Sequence, residues 1–480
     1  MSTTEAEVSI PKRERHPLGL YILFGTEMWE RFGFYTAAAI LTLYLQRGGF
    51  GWTEDQATNV WSYYLMFVYA TPLVGGWLAD RFIGYRRAVV LGGLIFIAGY
   101  ATVAVGSIAC FFIGIALICI GNGFFKPNIS TMVGNLYPPG SPLKDSAYSI
   151  FYMGINVGAL LAPVVSEGLL QLVAGSDALQ AASEGKVLSP VQAAAVKSGY
   201  QAAFYSAAVG MTIGTVLFSV LYKKLAAVER RPASGSEAGV VEAAPTEVSA
   251  LDRVPERNRV AALLVIYGIV IVFWMVFHQN GSTMTYWADK NSDWVSLIGR
   301  PLSGTFSNAI NPFWIVVLSI PLVKFWGWLN KRGLEPSTPT KMVYGMLLTS
   351  LAFFILYVAA KSGGDQTYST DAAGKLVAEQ HRVSPLWLIL AYAVISLGEL
   401  MLSPMGLSLV SKVAPVRMRG LMMGGWFLAT AIGNKLTAIG LLWTVWYHSS
   451  FWLLCSCSAL VMAFVLLALL RPLKKAMPGV

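Results

Sequence analysis

Runs of mostly apolar residues, each about 20 residues or longer, alternate with short polar breaks from one end of the chain to the other. A helix rising about 1.5 Å per residue needs roughly 20 residues to cross a hydrocarbon core of about 30 Å. Twelve stretches satisfy this: 18–46, 57–79, 87–107, 110–134, 147–172, 200–223, 259–287, 305–330, 341–360, 386–411, 419–446 and 450–470. Several are longer than the minimum, which permits tilt or kinking. Glycines and prolines such as Pro72, Pro127, Pro163, Pro312, Pro321 and Pro404 fall inside them. Packed membrane helices tolerate them because neighbouring helices can satisfy the freed backbone groups. The pattern predicts an all-α polytopic membrane protein.

Composition sharpens this. The 480 residues are 55% hydrophobic and only 12% charged, against about 25% charged in ordinary soluble domains. The lipid bilayer is therefore the expected partner of most of the surface. The net charge of +10 is not gathered on an aqueous domain, which excludes nucleic acid as a partner. It distributes with about a threefold bias towards the side carrying both termini, which predicts both termini in the cytoplasm of a cell (inner) membrane. No short apolar segment with a small-residue cleavage site precedes the first span, so that helix is expected to serve as the insertion signal. The four cysteines, Cys110, Cys119, Cys455 and Cys457, all lie in predicted spans without metal-ligand spacing and read as packing residues.

Residues 224–258, rich in Ala, Glu, Pro and Ser, read as a flexible cytoplasmic linker. They divide the chain into a cytoplasmic N-terminus (1–17), a six-helix bundle (18–223), the linker, a second six-helix bundle (259–470) and a cytoplasmic C-terminus (471–480). Two six-helix halves are the organisation of the major facilitator class of transporters. The segment "GGWLADRFIGYRR" fits this reading, with Asp80 and Arg81 in the short inner loop as gating residues, the Asp expected to pair with a nearby Arg and with helix ends and so latch that side. The outer loops 173–199 and 361–385 are too small for domains.

Six charges stand inside the spans: Glu27, Glu30 and Arg31 in "GTEMWERFGFY", Lys126 in "GNGFFKPNIS", Glu399 in "SLGELMLSPMG" and Lys435 in "TAIGNKLTA". Their signs cancel, as an internal network requires. A charge at the bilayer centre costs at least about 2.5–3.5 kcal/mol, so such residues face a bundle interior or a water-filled path. Glu27, Glu30 and Arg31, at i, i+3 and i+4, share one helix face, which Tyr35 continues. Neutral polar and aromatic residues join them: Tyr69, Asn156, His278, Asn311 and Trp426. A cavity with Arg31 and Lys126 at one end and Glu399 at the other suits a zwitterion such as a short peptide or an amino acid. Glu27, Glu30 and His278 are available for proton coupling. No nucleophile–base pair or metal-ligand cluster is evident, so no catalytic residue, metal or cofactor is expected and the chain is not read as an enzyme.

These motifs resemble the proton-dependent oligopeptide transporter family of the major facilitator superfamily. "EMWERFGFY" is similar to its helix-one motif E-x-x-E-R-F-x-Y-Y, with Phe34 in place of the first tyrosine. "GGWLADRFIGYRRAVVLGGLIFIAG", "YSIFYMGINVGAL", "GNGFFKPNIS" and "LGELMLSPMGLS" resemble further family segments in the same order. The resemblance implies symport of di- and tripeptides with protons by alternating access. By motif, it places Glu27, Glu30, Arg31 and Lys126 in proton coupling and carboxylate binding. Tyr35, Tyr69, Asn156, Asn311 and Trp426 fall in the peptide pocket, and Glu399 at the peptide amino terminus. Three departures stand out: Ala38 replaces a basic residue after the helix-one motif, His278 replaces a carboxylate of helix seven, and the linker is too polar for two extra helices found in many bacterial members. Lys435 has no family role; it is expected to complete the charge balance with Glu399 or Glu30, or to modulate coupling. A monomer is expected because each chain holds both halves. The rival readings are transport of another small anionic or zwitterionic substrate, drug export, and a membrane receptor that binds ligand without flux.

Overall fold

The computed structural model describes residues 16–137, 143–228, 253–370, 376–379, 381–415 and 418–478. The N-terminal tail through residue 15 and linker residues 229–252 lie outside the described residues. The first half comprises α1 (Leu18–Arg47), α2 (Glu54–Leu78), α3 (Tyr85–Ala104), α4 (Ile108–Asn135), α5 (Leu143–Ala174), the short α6 (Ser176–Ser183) and α7 (Pro190–Leu221). The second comprises α8 (Glu256–Phe277), α9 (Thr283–Lys290), α10 (Trp294–Ile298), α11 (Ile310–Lys331), α12 (Thr338–Ala359), α13 (Leu386–Val413), α14 (Arg419–Leu436) and α15 (His448–Ala476). With α8 and α9 as one interrupted span, twelve long segments result, six in each half. Nine segments among the described residues are long and apolar enough to cross a membrane on their own. The remaining three are α1, α2 and α14, of which α1 is mostly buried.

Several helices begin before the apolar pattern does, because a cap starts them. Thr53 accepts a hydrogen bond from the Gln56 backbone while Gln56 reaches back to the Thr53 N–H. Ser189 and Gln192 repeat the arrangement ahead of α7, which starts at Pro190 rather than near residue 200. Such reciprocal capping satisfies two backbone donors that a helix start leaves open. At the other end of the chain, α15 runs to Ala476, beyond the expected limit at 470.

Within each half, α1 packs on α5 and α7, α3 on α4 and α7, α12 on α13 and α15, and α8 on α14. Glycines set the closest approaches. A Cβ on Gly75 would lie 2.0 Å from the Gly123 carbonyl oxygen, and one on Gly345 would lie 2.8 Å from that of Gly398. Backbones in contact of this kind are how membrane helices gain dispersion energy where lipid offers no hydrophobic drive. The halves meet through α2 against α14 and through α5 against α11.

Two predicted spans are interrupted. The stretch 259–287 leaves α-helical geometry at His278–Gly281, a 3-10 turn, before α9 resumes. Trp61 fills the space there; a Cβ on Gly281 would fall 2.1 Å from its ring. The stretch 419–446 is α-helical to Leu436 and 3-10 from Thr437 to Thr444. The loop after α12 contains a small antiparallel hairpin, β1 (Thr367–Thr370) with β2 (Leu376–Glu379), pairing Thr367 with Glu379. It is the one sheet among the described residues.

Candidate functional site: charged residues between the halves

The i, i+3, i+4 spacing on α1 does what it predicts. Arg31 makes a fork with Glu30, Nη2 donating to Oε1 at 2.6 Å and Nε to Oε2, while Glu27 Oε1 stands 3.4 Å from Nε. All three are buried, at 3%, 0% and 1% exposure respectively, so the guanidinium is neutralised inside the protein rather than by water. Asn122 on α4 accepts from Arg31 Nη2 at 3.5 Å and donates to the Val68 carbonyl of α2 at 2.6 Å, tying three helices together. Phe34, the residue in the tyrosine position of the motif, lies under the guanidinium at 4.8 Å.

Lys126 is one turn along α4 from Asn122. Its Nζ sits 4.6 Å from the centre of the Tyr69 ring, within cation–π distance. Among the described residues no carboxylate lies within 4.0 Å of it, though it is in electrostatic reach of Glu27 and Glu30. It is partly exposed, as are Tyr35 and Tyr69, whereas the α1 trio is not. Arg31 is thus held by carboxylates, and Lys126 is the partly exposed cation with none within 4.0 Å among the described residues.

The acidic end comes from the second half. Glu399 on α13 accepts from Asn311 Nδ2 on α11 at 3.1 Å, and the same amide donates to Ser396 Oγ at 2.9 Å. Asn311 and Glu399 are also partly exposed. Tyr35, Tyr69 and Tyr152 of the first half all lie in electrostatic reach of Glu399. The expected polarity is therefore present: a cation and tyrosines on one half, a carboxylate and amides on the other.

Other expected site residues are placed differently. Asn156 is nearly buried, and its amide donates back to the Tyr152 carbonyl at 2.9 Å. Trp426 is 3% exposed, 6.3 Å from the Tyr267 ring and flush against Gly406 of its own half. His278 caps α8, stacks on Trp274 at 4.9 Å and stands 6.2 Å from Tyr69. Its carbonyl accepts from Trp61 Nε1 at 3.1 Å.

Three expectations need correction. Lys435 pairs with neither Glu399 nor Glu30. It reaches across to α2, donating to Asn59 Oδ1 at 3.2 Å and Ser62 Oγ at 3.1 Å, with Nζ 3.7 Å from the Tyr63 ring centre. Asp80 forms no ion pair with an Arg among the described residues. A π-helical turn, Ala79–Ile83, carries Asp80 back to accept from the Tyr85 hydroxyl at 2.8 Å, and Arg81 lies over Trp77 and Phe82 instead. Cys457, expected to pack inside, is exposed on α15.

The sequence reading missed the polar contacts that close one end of the seam between the halves. Arg47 at the end of α1 forms a two-point ion pair with Asp289 of α9, and Lys290 pairs with Glu54. Thr42 donates to the Gly281 carbonyl at 3.1 Å, Thr58 meets Tyr286 at 3.1 Å, and Ser303 bonds Glu167. All lie at the end opposite the chain termini. At the termini end no hydrogen bond or ion pair among the described residues joins α4 to α13. Only the complementary signs of Arg47, Glu54, Asp289 and Lys290 at span ends could have signalled this closure.

Comparison with known proteins gives the arrangement its context. The family model described as the POT family matches residues 86–229 and 236–453. The chain is 32% identical to "Uncharacterized transporter YclF" of Bacillus subtilis (strain 168), covering 97% of this chain and 96% of that protein. It is 30% identical to the "Di-/tripeptide transporter" of Lactococcus lactis subsp. cremoris over 97% of each. The fold superposes on a crystal structure of peptide transporter POT in complex with sulfate with a TM-score of 0.78, at 30% identity and 98% coverage of both chains. The chain is an integral membrane protein, and it belongs to the POT family of transporters.

Proposed function

We propose that this protein is a proton-coupled symporter that imports di- and tripeptides by alternating access. The observation that carries the reading is the division of charge across the seam, with the partly exposed Lys126 on one half and Glu399 with Asn311 on the other. A peptide spanning them presents a carboxylate to Lys126 and an ammonium to Glu399. Relatives named as di-/tripeptide transporter and as dipeptide and tripeptide permease support the substrate class.

The basic-residue bias puts both termini in the cytoplasm, in the cell (inner) membrane of the bacterial relatives. The bonded end of the seam is then the outer one, and the conformation is closed outward. Ionised Glu27 and Glu30 hold Arg31. Protonating them weakens that hold and frees the guanidinium to join Lys126 in binding the peptide carboxylate. Peptide bridging to Glu399 draws the halves together, and inward release of peptide and proton restores the internal pairs. Ala38, buried and uncharged, supplies no further cation, so the carboxylate end rests on Arg31 and Lys126. Each chain holds both halves of the seam, which makes a monomer sufficient.

Equilibrium binding of dialanine to the purified protein tests the reading. Glu399→Gln is expected to weaken binding by about 10- to 150-fold, the equivalent of one charge-assisted hydrogen bond of roughly 1.5–3 kcal/mol. N-acetyl-dialanine, which has no ammonium, is expected to bind the wild type as weakly as dialanine binds the variant. Equal affinity for both compounds in the wild type would refute the assignment of Glu399.

A further inference from the structure

The exposed face of α11 changes chemistry along its length. Val316, Ile320, Lys324, Trp328 and Arg332 follow one another at intervals of four, which puts them on one face of the helix. All five are exposed, as are Val317, Val323 and Phe325 beside them. The other face is buried, with Leu322 and Trp326 in a cluster that includes Leu400 and Met401 of α13. Ile320 and Val323, at 65% and 69% exposure, therefore meet lipid chains. The stripe ends in two levels of positive charge. Lys331 and Arg332 form one level, at the end of the helix on the side of the chain termini. Arg332 lies over the Trp328 ring at 4.0 Å, and Trp328 stacks with Phe325. Lys324 forms the other level, about 12 Å deeper than Arg332 at 1.5 Å of rise per residue.

These cations have no internal counter-charge. Among the described residues no carboxylate lies within 4.0 Å of Lys324, Lys331 or Arg332. Glu335, the carboxylate closest in the chain, is already engaged: it accepts from Asn330 and pairs with Lys341, which lies over Trp326 of the buried face. A cation beside hydrocarbon is costly unless its stem carries the charge to the interface or an anion comes to it. A Lys324 stem directed towards the interface brings its ammonium towards Arg332, a like charge. An anion between the two levels relieves both costs at once. The inner end of α2 offers a contrast. Arg81 lies over Trp77 and Phe82 there, but Asp80 adjoins it in the chain and the exposed residues one turn deeper are Leu73 and Val74. That edge has one level of charge, where α11 has two.

We propose that this end of α11 is a binding site for one anionic phospholipid. Its phosphodiester sits between Lys324, Lys331 and Arg332, its glycerol lies against Trp328, and its chains run along Ile320 and Val323. A zwitterionic lipid fits less well, because its headgroup amine would face the same three cations. A soluble phosphate lacks the chains that the apolar part of the stripe would meet. The site requires only that α11 spans the bilayer, and it does not depend on what the protein transports.

Native mass spectrometry of the full chain, released from micelles containing phosphatidylglycerol and phosphatidylcholine, tests this by counting the lipids retained. The wild type is expected to retain one phosphatidylglycerol in preference to phosphatidylcholine. Each cation near a membrane surface strengthens attraction to anionic lipid about fivefold. Lys324→Gln is therefore expected to weaken retention about fivefold, and the triple replacement of Lys324, Lys331 and Arg332 by glutamine about 100-fold. Lys324→Arg keeps the charge and is expected to restore retention, and Arg81→Gln is expected to leave it unchanged. Equal retention of the two lipids by the wild type overturns the proposal. So does an equal loss in Arg81→Gln and Lys324→Gln, which would mark a diffuse attraction of the whole inner surface. Displacement of the lipid by an equal concentration of inorganic phosphate also overturns it, since the anion alone would then suffice. None of these outcomes touches the peptide assignment, which fails separately if dialanine is not bound.

Discussion

Replacing Arg47 with glutamine leaves Asp289 as a buried carboxylate without its cation. The two side chains are 8% and 0% exposed, and both guanidinium Nη atoms contact the carboxylate. Removing one partner of a buried pair costs about 3–5 kcal/mol, mostly because the other charge stays desolvated. That cost applies only while the outer seam is closed, since opening it lets water reach Asp289. At about 1.4 kcal/mol per tenfold, the closed state should lose population relative to the open one by roughly 100- to 4,000-fold. Arg47→Gln/Asp289→Asn replaces the ion pair with two amides, keeps an acceptor for the Gly304 N–H, and should bring the ratio back to within about tenfold of the wild type. The assay is the distance distribution between spin labels at Val187→Cys and Leu297→Cys, exposed positions on the outer side of the two halves, in the chain with its four native cysteines replaced, read as the closed fraction for the wild type, both single variants and the double variant. Singles that remain closed, or a double variant no more closed than the singles, would show that this pair does not hold the seam.

Further outcomes follow from other contacts. Gly75→Ala should lower thermal stability, because its Cβ would meet the Gly123 carbonyl at 2.0 Å; overpacking of this kind costs about 1–3 kcal/mol, measurable as a lowered Tm in detergent. Lys435→Met removes two hydrogen bonds and a cation–π contact to α2. It should slow uptake while leaving dialanine affinity in detergent within about twofold, since Lys435 touches neither Lys126 nor Glu399; a large loss of affinity would move Lys435 into the substrate site. Lys126→Gln should weaken dialanine binding by about 10- to 150-fold, whereas dialanine amide, which has no carboxylate, should bind the variant and the wild type alike.

The long spans were legible because apolar runs of helical length have few alternatives in a chain this poor in charge. The i, i+3, i+4 trio on α1 was legible for the same local reason: helix geometry alone puts Glu27, Glu30 and Arg31 together. Helix starts were less so. Polar caps at Thr53 and Ser189 begin α2 and α7 in segments that an apolar pattern reads as loop. The break at His278–Gly281 follows from tertiary packing, with Trp61 of the other half pressed against Gly281, and no local periodicity announces it. Charges at span ends were the least legible. Arg47 and Asp289 lie 242 positions apart, and hydropathy reads each as a loop residue that sets orientation. Lys435 misled because charge balance counts signs without distances; its partners proved to be amide, hydroxyl and ring groups of α2. Glu399 and Asn311 were legible as polar residues inside apolar spans but not as partners, since nothing in their spacing brings α11 to α13.

The most direct test of the central claim is accumulation of labelled dialanine by the purified protein in liposomes, with and without an inward proton gradient. The wild type should accumulate peptide only with the gradient. Glu30→Gln, which removes the main partner of Arg31, should abolish that dependence, and His278→Ala, which removes a ring stacked on Trp274, should preserve it. Gradient-driven uptake that survives Glu30→Gln and disappears in His278→Ala would move the coupling to the α8–α9 break. No accumulation of dialanine under any gradient would contradict peptide symport.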